Sequence, residues 1–184
     1  MKKLKMLLLA ASVFVSVAVQ AQKEKTVEVG GAAMYPSKDI VSNAVNSKDH
    51  TTLVAAVKAA GLVETLQTAG PFTVLAPTNA AFDLLPKGTV SSLLQPENKT
   101  MLTTILTYHV VPGAYSIADI EGLIKKGNGK AMLKTVSGDK LWFYHDGKKI
   151  AVKDEKGGVA YITIKDVYQS NGVIHVIDHV LIPA

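Results

Sequence analysis

Residues 171–184 carry the strongest structural signal in this chain: Asn171-Gly172-Val173-Ile174-His175-Val176-Ile177-Asp178-His179-Val180-Leu181-Ile182-Pro183-Ala184. An Asn-Gly turn comes before the run of apolar, mostly β-branched residues, and a proline follows it. Turn residues at both ends of such a run are typical of a single strand that is buried in a sheet. The sequence therefore predicts one buried strand over residues 173–181.

A two-residue period extends back from this strand to the turn at residues 127–129, which predicts that the C-terminal part of the chain is a sheet. The predicted strands are 141–144, 150–152, 159–164 and 173–181. Upstream, helical spacing predominates, with a helix from Thr51 or Thr52 to Gly61, another over 98–107, and one strand at 72–76. Helices first and strands later predict an α+β fold.

The N-terminus has the pattern of a secretory signal peptide. Lysines at positions 2, 3 and 5 precede an apolar stretch over residues 6–19, and small residues lead to a predicted cleavage after Ala21. An uncleaved anchor is the alternative, but the stretch is shorter than the roughly 20 residues that span a bilayer. We therefore predict a signal peptide at 1–21, a glycine-containing spacer at 22–36 and one domain at 37–184. The protein is expected to be periplasmic or secreted, with no transmembrane segment after cleavage.

Composition narrows the possible chemistry. The chain has no cysteine, which excludes disulfides, a lipid-modified cysteine and thiolate metal sites. After the leader, 17 lysines face 15 acidic residues, and ten of those lysines lie in residues 125–165. Every basic side chain is lysine, so bidentate guanidinium recognition is not available. We interpret the lysine-rich stretch as the solvated face of hairpins; a weak site for anionic glycans or lipid headgroups is the alternative.

Three segments, in order, resemble the motifs of fasciclin-like adhesion domains. The first combines Thr52-Leu53-Val54-Ala55-Ala56-Val57 and Gly61-Leu62 with Gly70-Pro71-Phe72-Thr73-Val74-Leu75-Ala76-Pro77-Thr78-Asn79-Ala80-Ala81-Phe82. The second is Leu106-Thr107-Tyr108-His109-Val110-Val111-Pro112-Gly113, and the third is the C-terminal strand. The resemblance covers residues 40–184. It implies a β-wedge sandwich flanked by several short helices, and a role in adhesion or extracellular binding without general catalytic activity.

The resemblance also implies candidate binding residues. The Tyr-His region of the family, here Tyr108 and His109, has been linked to receptor binding. From the residues alone, rings at a helix-to-strand junction need hydrogen-bond partners, which favours a structural role for them. A Lys-Asp-Ile stretch of some animal domains is linked to integrin binding. It corresponds here to Lys165, Asp166 and Val167; from the residues, solvation of a strand end is the expected role of Asp166.

Residues 175–179 superficially match the His-x-x-Glu-His pattern of inverted zinc proteases. That pattern works on a helix, whereas in a strand His175 and His179 lie roughly 13 Å apart. The chain also lacks a Gly-x-Ser-x-Gly elbow, a phosphate-binding glycine loop and a dinucleotide fingerprint. We therefore expect no catalytic residue, no metal and no cofactor.

The sequence thus predicts a binding or adhesion module for a protein or an anionic glycan at the cell surface or matrix. Nucleic acid is not an expected partner, because export removes the protein from it. Two alternatives stay open at this point. One is an extracytoplasmic protein that binds a lipid or small molecule, and the other is a hydrolase that uses His109 with a nearby carboxylate.

Overall fold

The computed structural model describes residues 25–68 and 70–184, so the predicted signal peptide lies outside the described part. The strands are β1 Val27–Val29, β2 Ala32–Met34, β3 Phe72–Pro77, β4 Val110–Pro112, β5 Lys130–Lys134, β6 Lys140–Asp146, β7 Lys149–Lys153, β8 Val159–Gln169 and β9 Gly172–Ile177. The helices are α1 Ile40–Ala44, α2 Thr51–Ala60, α3 Val63–Gln67, α4 Asn79–Asp83, α5 Thr89–Leu93, α6 Lys99–Tyr108 and α7 Ile117–Lys126. Among these described residues, no helix is both long enough and apolar enough to cross a membrane.

Seven of the strands form one sheet in the order β4-β3-β9-β8-β7-β6-β5. β3 and β9 are parallel, and the other neighbours are antiparallel. The sheet curls until its two edges nearly meet: the amide of Val136, just after β5, donates to the carbonyl of Val110 in β4 at 2.7 Å. Helices and a nearly closed sheet confirm the predicted α+β class.

The parallel pair β3 and β9 lies at the centre of the molecule. Val74 and Ile174 pack with the helices on one face, while Leu75 and Ile177 pack inside the curled sheet on the other. Because both faces are buried, β9 carries a continuous apolar run instead of an alternating one. The predicted strand is confirmed, but it ends at Ile177; residues 178–184 continue as a packed irregular tail.

Two glycines allow β3 and β9 to start side by side. A Cβ on Gly172 would lie 2.1 Å from the carbonyl oxygen of Phe72, and one on Gly70 would lie 2.2 Å from that of Asn171. No side chain fits at such distances. The glycines of the first and third motifs therefore share one purpose, which is close approach of the two backbones.

The structure differs from the expected spacer at residues 22–36. β1 and β2 pair as a hairpin, with Gly30 and Gly31 at positive φ in its tight turn. Val29 and Met34 are each only 3% exposed and belong to the core under the helices. The glycine pair that suggested flexibility instead forms the turn of this hairpin.

The predicted end of α2 at Gly61 is confirmed, but the predicted cap at Thr51 or Thr52 is wrong, because α2 continues directly from a 3₁₀ turn at Lys48–His50 and has no side-chain cap at its start. Gly61 ends α2 in the left-handed conformation, and the side chain of Thr78 caps α4 by accepting from the Ala81 amide. Ser116 and Asp119 form a reciprocal capping box at the start of α7. α7 is thereby fixed at its first turn, beside the candidate residues of β8.

Candidate functional site

Tyr108 is the last residue of α6, and its side chain is fully buried inside the curled sheet. Its hydroxyl donates to the carbonyl of Lys140 at 2.8 Å and accepts from the amide of Glu155 at 3.1 Å. Burial raises the pKa of this phenol to about 12. One hydroxyl thus ties α6 to the start of β6 and to the turn between β7 and β8.

The ring of His109 lies edge to face with that of Tyr108, at an interplanar angle of 88° and with centroids 6.4 Å apart. Nδ1 donates to the carbonyl of Ile105 at 2.8 Å, which leaves Nε2 to accept from the amide of Leu181 at 3.0 Å. The ring is 3% exposed, and burial lowers its pKa to about 4. A neutral His109 therefore fastens the C-terminal tail to α6.

Both rings of the Tyr-His pair are almost entirely buried, so their direct contribution is to the architecture. The hydrolase alternative needs a free imidazole nitrogen to accept a proton, and both nitrogens of His109 are already engaged. The structural role that the residues alone favour agrees with this geometry.

Lys165, Asp166 and Val167 are separated by burial. The side chain of Lys165 is exposed, that of Asp166 is half-buried, and Val167 is 1% exposed in the core. Asp166 has a positive φ of 57° and lies where the β8–β9 register shifts, rather than at a strand end. The expected solvated strand end is therefore wrong for Asp166, and Lys165 is the one member of this trio that is exposed.

Asp166 connects α7 to β9. Its carboxylate accepts from the amide of Ile117 at 2.7 Å, at the positive end of the α7 dipole. Its own amide donates to Nδ1 of His175 at 3.2 Å, and Nε2 of His175 donates to the carbonyl of Tyr115 at 2.9 Å. His175 is fully buried, as the sequence predicted, and burial lowers its pKa.

A surface that sequence reasoning left undefined lies on the outer face of β5 to β8. Cross-strand register places Tyr144 and Tyr161 on either side of Ala151, and Trp142 beside Lys153. Ala151 is fully buried although it belongs to the outer face, which indicates that its aromatic neighbours cover it. We call this surface the basic aromatic face; its members are Lys130, Met132, Lys134, Lys140, Trp142, Tyr144, Lys149, Ala151, Lys153 and Tyr161.

Lysines border the aromatic rings on this face. The Nζ atom of Lys130 lies 5.2 Å from the centroid of Trp142, and that of Lys149 lies 5.1 Å from the centroid of Tyr161. All ten lysines of residues 125–165 are exposed. The solvated face that the sequence predicted is thus present, and it also carries an aromatic row.

A model of the fasciclin domain matches residues 48–183 of this chain. The chain belongs to the fasciclin domain family. Protein sll1483 of Synechocystis is 46% identical over 171 residues, which cover 92% of this chain and 87% of that protein. Immunogenic protein MPB70 of Mycobacterium bovis is 37% identical over 153 residues, covering 80% of this chain and 70% of that protein. The resemblance inferred from three motifs is confirmed.

The fold of this fasciclin domain is also that of a solved structure, a FAS1 domain pair from the insect cell adhesion molecule fasciclin I. The match has a TM-score of 0.56 at 25% sequence identity. It covers 71% of this chain and 43% of that one, so this chain spans less than half of the pair. This chain therefore shares the FAS1 fold, a nearly closed sheet with flanking helices.

Replacing Asp166 by alanine is expected to lower the free energy of unfolding by about 2 kcal/mol. The change removes the carboxylate that accepts from the amide of Ile117 at the start of α7. It also places alanine, whose side chain has no polar group, at a positive φ. Chemical denaturation measures the loss. Asp166→Asn is the matched control, because asparagine keeps an acceptor oxygen and tolerates this conformation; we expect it to lose less than half as much. Equal losses would contradict the assigned role.

Proposed function

We propose that this fasciclin domain is a binding module that recognises anionic glycan through its basic aromatic face. The observation that supports the proposal is the row of aromatic rings bordered by exposed lysines on β5 to β8. Sugar rings pack on aromatic faces, while carboxylate or sulfate groups on the same polymer are attracted by the ammonium groups.

The lysines of this face are free to meet an external anion. Within residues 25–68 and 70–184, the one ion pair joins His179 to Asp178, and it involves no lysine. The carboxylate of Asp146 is engaged by the hydroxyl of Tyr161 at 2.6 Å. Asp146 lies opposite Lys149 on the same face and keeps its negative charge, but the five lysines of the face outnumber it. The face is therefore net positive, and a polyanion that lies along the strands can contact several ammonium groups at once.

The candidate residues taken from the family contribute to this proposal in a different way. Tyr108 and His109 hold the sheet and the tail in place, and Asp166 fixes α7. Their role in binding is then to maintain the shape of the surface. Lys165 is exposed and remains a proposed additional contact.

We further propose that the domain acts outside the cytoplasm after cleavage following Ala21. The leader pattern supports this, and the anionic glycans of a cell surface or matrix would be accessible there. Mass spectrometry of the protein expressed with its leader would test the cleavage site. A mature chain that begins at Gln22 is expected, and an intact leader would contradict it.

Binding to an immobilised polyanion such as heparin or alginate is expected to weaken roughly tenfold when Lys130, Lys149 and Lys153 are all replaced by glutamine. Trp142 is the only tryptophan of the chain, so its fluorescence reports directly on this face. The lysine contribution should fade with added salt, whereas Trp142→Ala should weaken binding at every salt concentration.

The matched control replaces three exposed lysines elsewhere, Lys48, Lys87 and Lys99, with glutamine. Both triple variants lose the same net charge. Retained binding by the control would assign recognition to the basic aromatic face. Equal losses in the two variants, or an unchanged tryptophan signal on binding, would show that attraction depends on net charge alone.

A further inference from the structure

A second concave surface lies on the side of the molecule that carries the helices. α1, α2, α3 and α6 border it, and β3 forms its floor; its walls include Val41, Val54, Val57, Leu66, Phe72 and Leu106. The cavity volume is about 80 Å³, and its lining is almost entirely apolar. We call it the helical cleft. It is separate from the basic aromatic face, because none of its lining residues belongs to that face.

The helical cleft differs from ordinary surface roughness. Apolar side chains inside a domain normally interdigitate closely, and apolar surface left accessible to water is unfavourable. Concave apolar sites with few polar groups are the usual form of small-molecule sites. The cleft has this form, and an apolar ligand would remove its walls from water.

The charge at the cleft comes from a single residue. Lys58 is the only lining residue with a full charge; it is exposed, and in the described part of the chain it forms no ion pair. His109 also lines the cleft, but it is neutral and both of its nitrogens are engaged. The hydroxyl of Thr107, which also lines the cleft near His109, already donates to carbonyls of α6, whereas the exposed rim offers one cation.

The cleft volume limits the bulk of the ligand. Roughly 10–15 Å³ on this scale is enough for one water molecule, so about 80 Å³ leaves room for a slender apolar group and not for a bulky one. A space of this size accommodates an alkyl chain better than a fused ring system. We propose that the helical cleft binds one alkyl chain of a fatty-acid-like amphiphile, with its carboxylate beside Lys58.

Dodecanoate, used below its micelle concentration, is the probe, and isothermal titration calorimetry measures its binding. One molecule should bind each protein. Affinity should rise roughly threefold to fourfold for each methylene added from octanoate to decanoate to dodecanoate, as burial of one CH₂ group predicts. Dodecanol should bind more weakly than dodecanoate, and dodecyltrimethylammonium, with the same chain and the opposite charge, more weakly still.

Matched variants test where dodecanoate binds and whether the charge of Lys58 contributes to binding. Val54→Trp should fill the cleft and reduce dodecanoate affinity at least tenfold, while Val45→Trp, at a 46% exposed position outside the cleft, should leave it unchanged. Lys58→Met keeps an unbranched side chain and removes the charge. We expect it to weaken dodecanoate binding about threefold to fivefold and to leave dodecanol binding unchanged, whereas Lys48→Met should alter neither.

Nuclear magnetic resonance of the wild-type methyl groups gives a test that does not depend on a variant folding. Dodecanoate should shift the methyl resonances of Val54, Val57 and Leu66, and those of Met132 on the basic aromatic face should stay in place. Failure of dodecanoate to bind, methyl shifts confined to residues outside the cleft, or equal affinities of the three dodecyl compounds would each overturn the proposal. The triple lysine variant of the basic aromatic face should still bind dodecanoate, so glycan binding and amphiphile binding can fail separately.

Discussion

Lowering the pH from 7.5 to 4.5 is expected to reduce the free energy of unfolding by about 2.5 kcal/mol through His109 alone. Burial lowers the pKa of His109 from 6.5 to about 4, so between these values the unfolded chain binds a proton that the folded protein excludes. The contribution of His109 to stability is therefore fully present above the pKa that His109 has in the unfolded chain. It is lost as the pH falls toward the pKa of His109 in the folded protein. Below about pH 4 this contribution levels off.

Two other buried histidines act in the same direction, since burial also lowers the pKa of His50 and of His175. The contribution of His109 is isolated with His109→Gln, which removes the titrating group. Urea denaturation at several pH values should show a shallower pH dependence for this variant, by about 2.5 kcal/mol over the range. His145→Gln, at an exposed position, should retain the wild-type dependence. An unchanged slope in His109→Gln would refute the assignment.

Replacing Tyr108 by phenylalanine is expected to cost about 2 kcal/mol, and replacing it by alanine about 3–5 kcal/mol. Phenylalanine fills the same space but leaves the carbonyl of Lys140 and the amide of Glu155 without their partner. Alanine adds a cavity at a fully buried position inside the sheet. Thermal and chemical denaturation measure both losses.

Tyr35→Phe serves as the control for the loss of a hydroxyl, because Tyr35 is 39% exposed and its ring stays in place. We expect its stability to remain within about 0.5 kcal/mol of the wild type. Hydrogen exchange at the amide of Glu155 gives a local readout: it should accelerate in Tyr108→Phe and not in Tyr35→Phe. Similar stability of the two variants would contradict the bridging role of the Tyr108 hydroxyl.

The sequence predicts the central elements well because their signals are local. Capping residues, turn glycines and apolar periods all act within a few positions, which is why the end of α2 at Gly61 and the start of β9 were found. β1 and β2 were missed because each has three residues and only Val29 and Met34 enter the core. With so few buried positions, the sequence shows no alternation of apolar and polar residues that would indicate a strand.

The candidate site was less predictable because its contacts are distant in sequence. The partner of Asp166 lies 49 residues earlier in the chain, at the start of α7. Nothing near Asp166 indicates a left-handed backbone or a helix beside it. The outer row of aromatic rings was hard to predict for the same reason. Alternation along β6 places Trp142 and Tyr144 on one face, but only the pairing of β7 with β8 brings Tyr161 beside them.

The parallel pairing of β3 with β9 has a consequence for how the protein acquires its structure. Phe72 pairs with Gly172, one hundred positions further along. A contact that spans so much chain requires costly loop closure before it yields any stabilisation, and this slows folding. During synthesis, both edges of the nascent β3 can be occupied only after residues 172–177 have emerged. We therefore expect ribosome-bound fragments that lack this segment to remain sensitive to proteases.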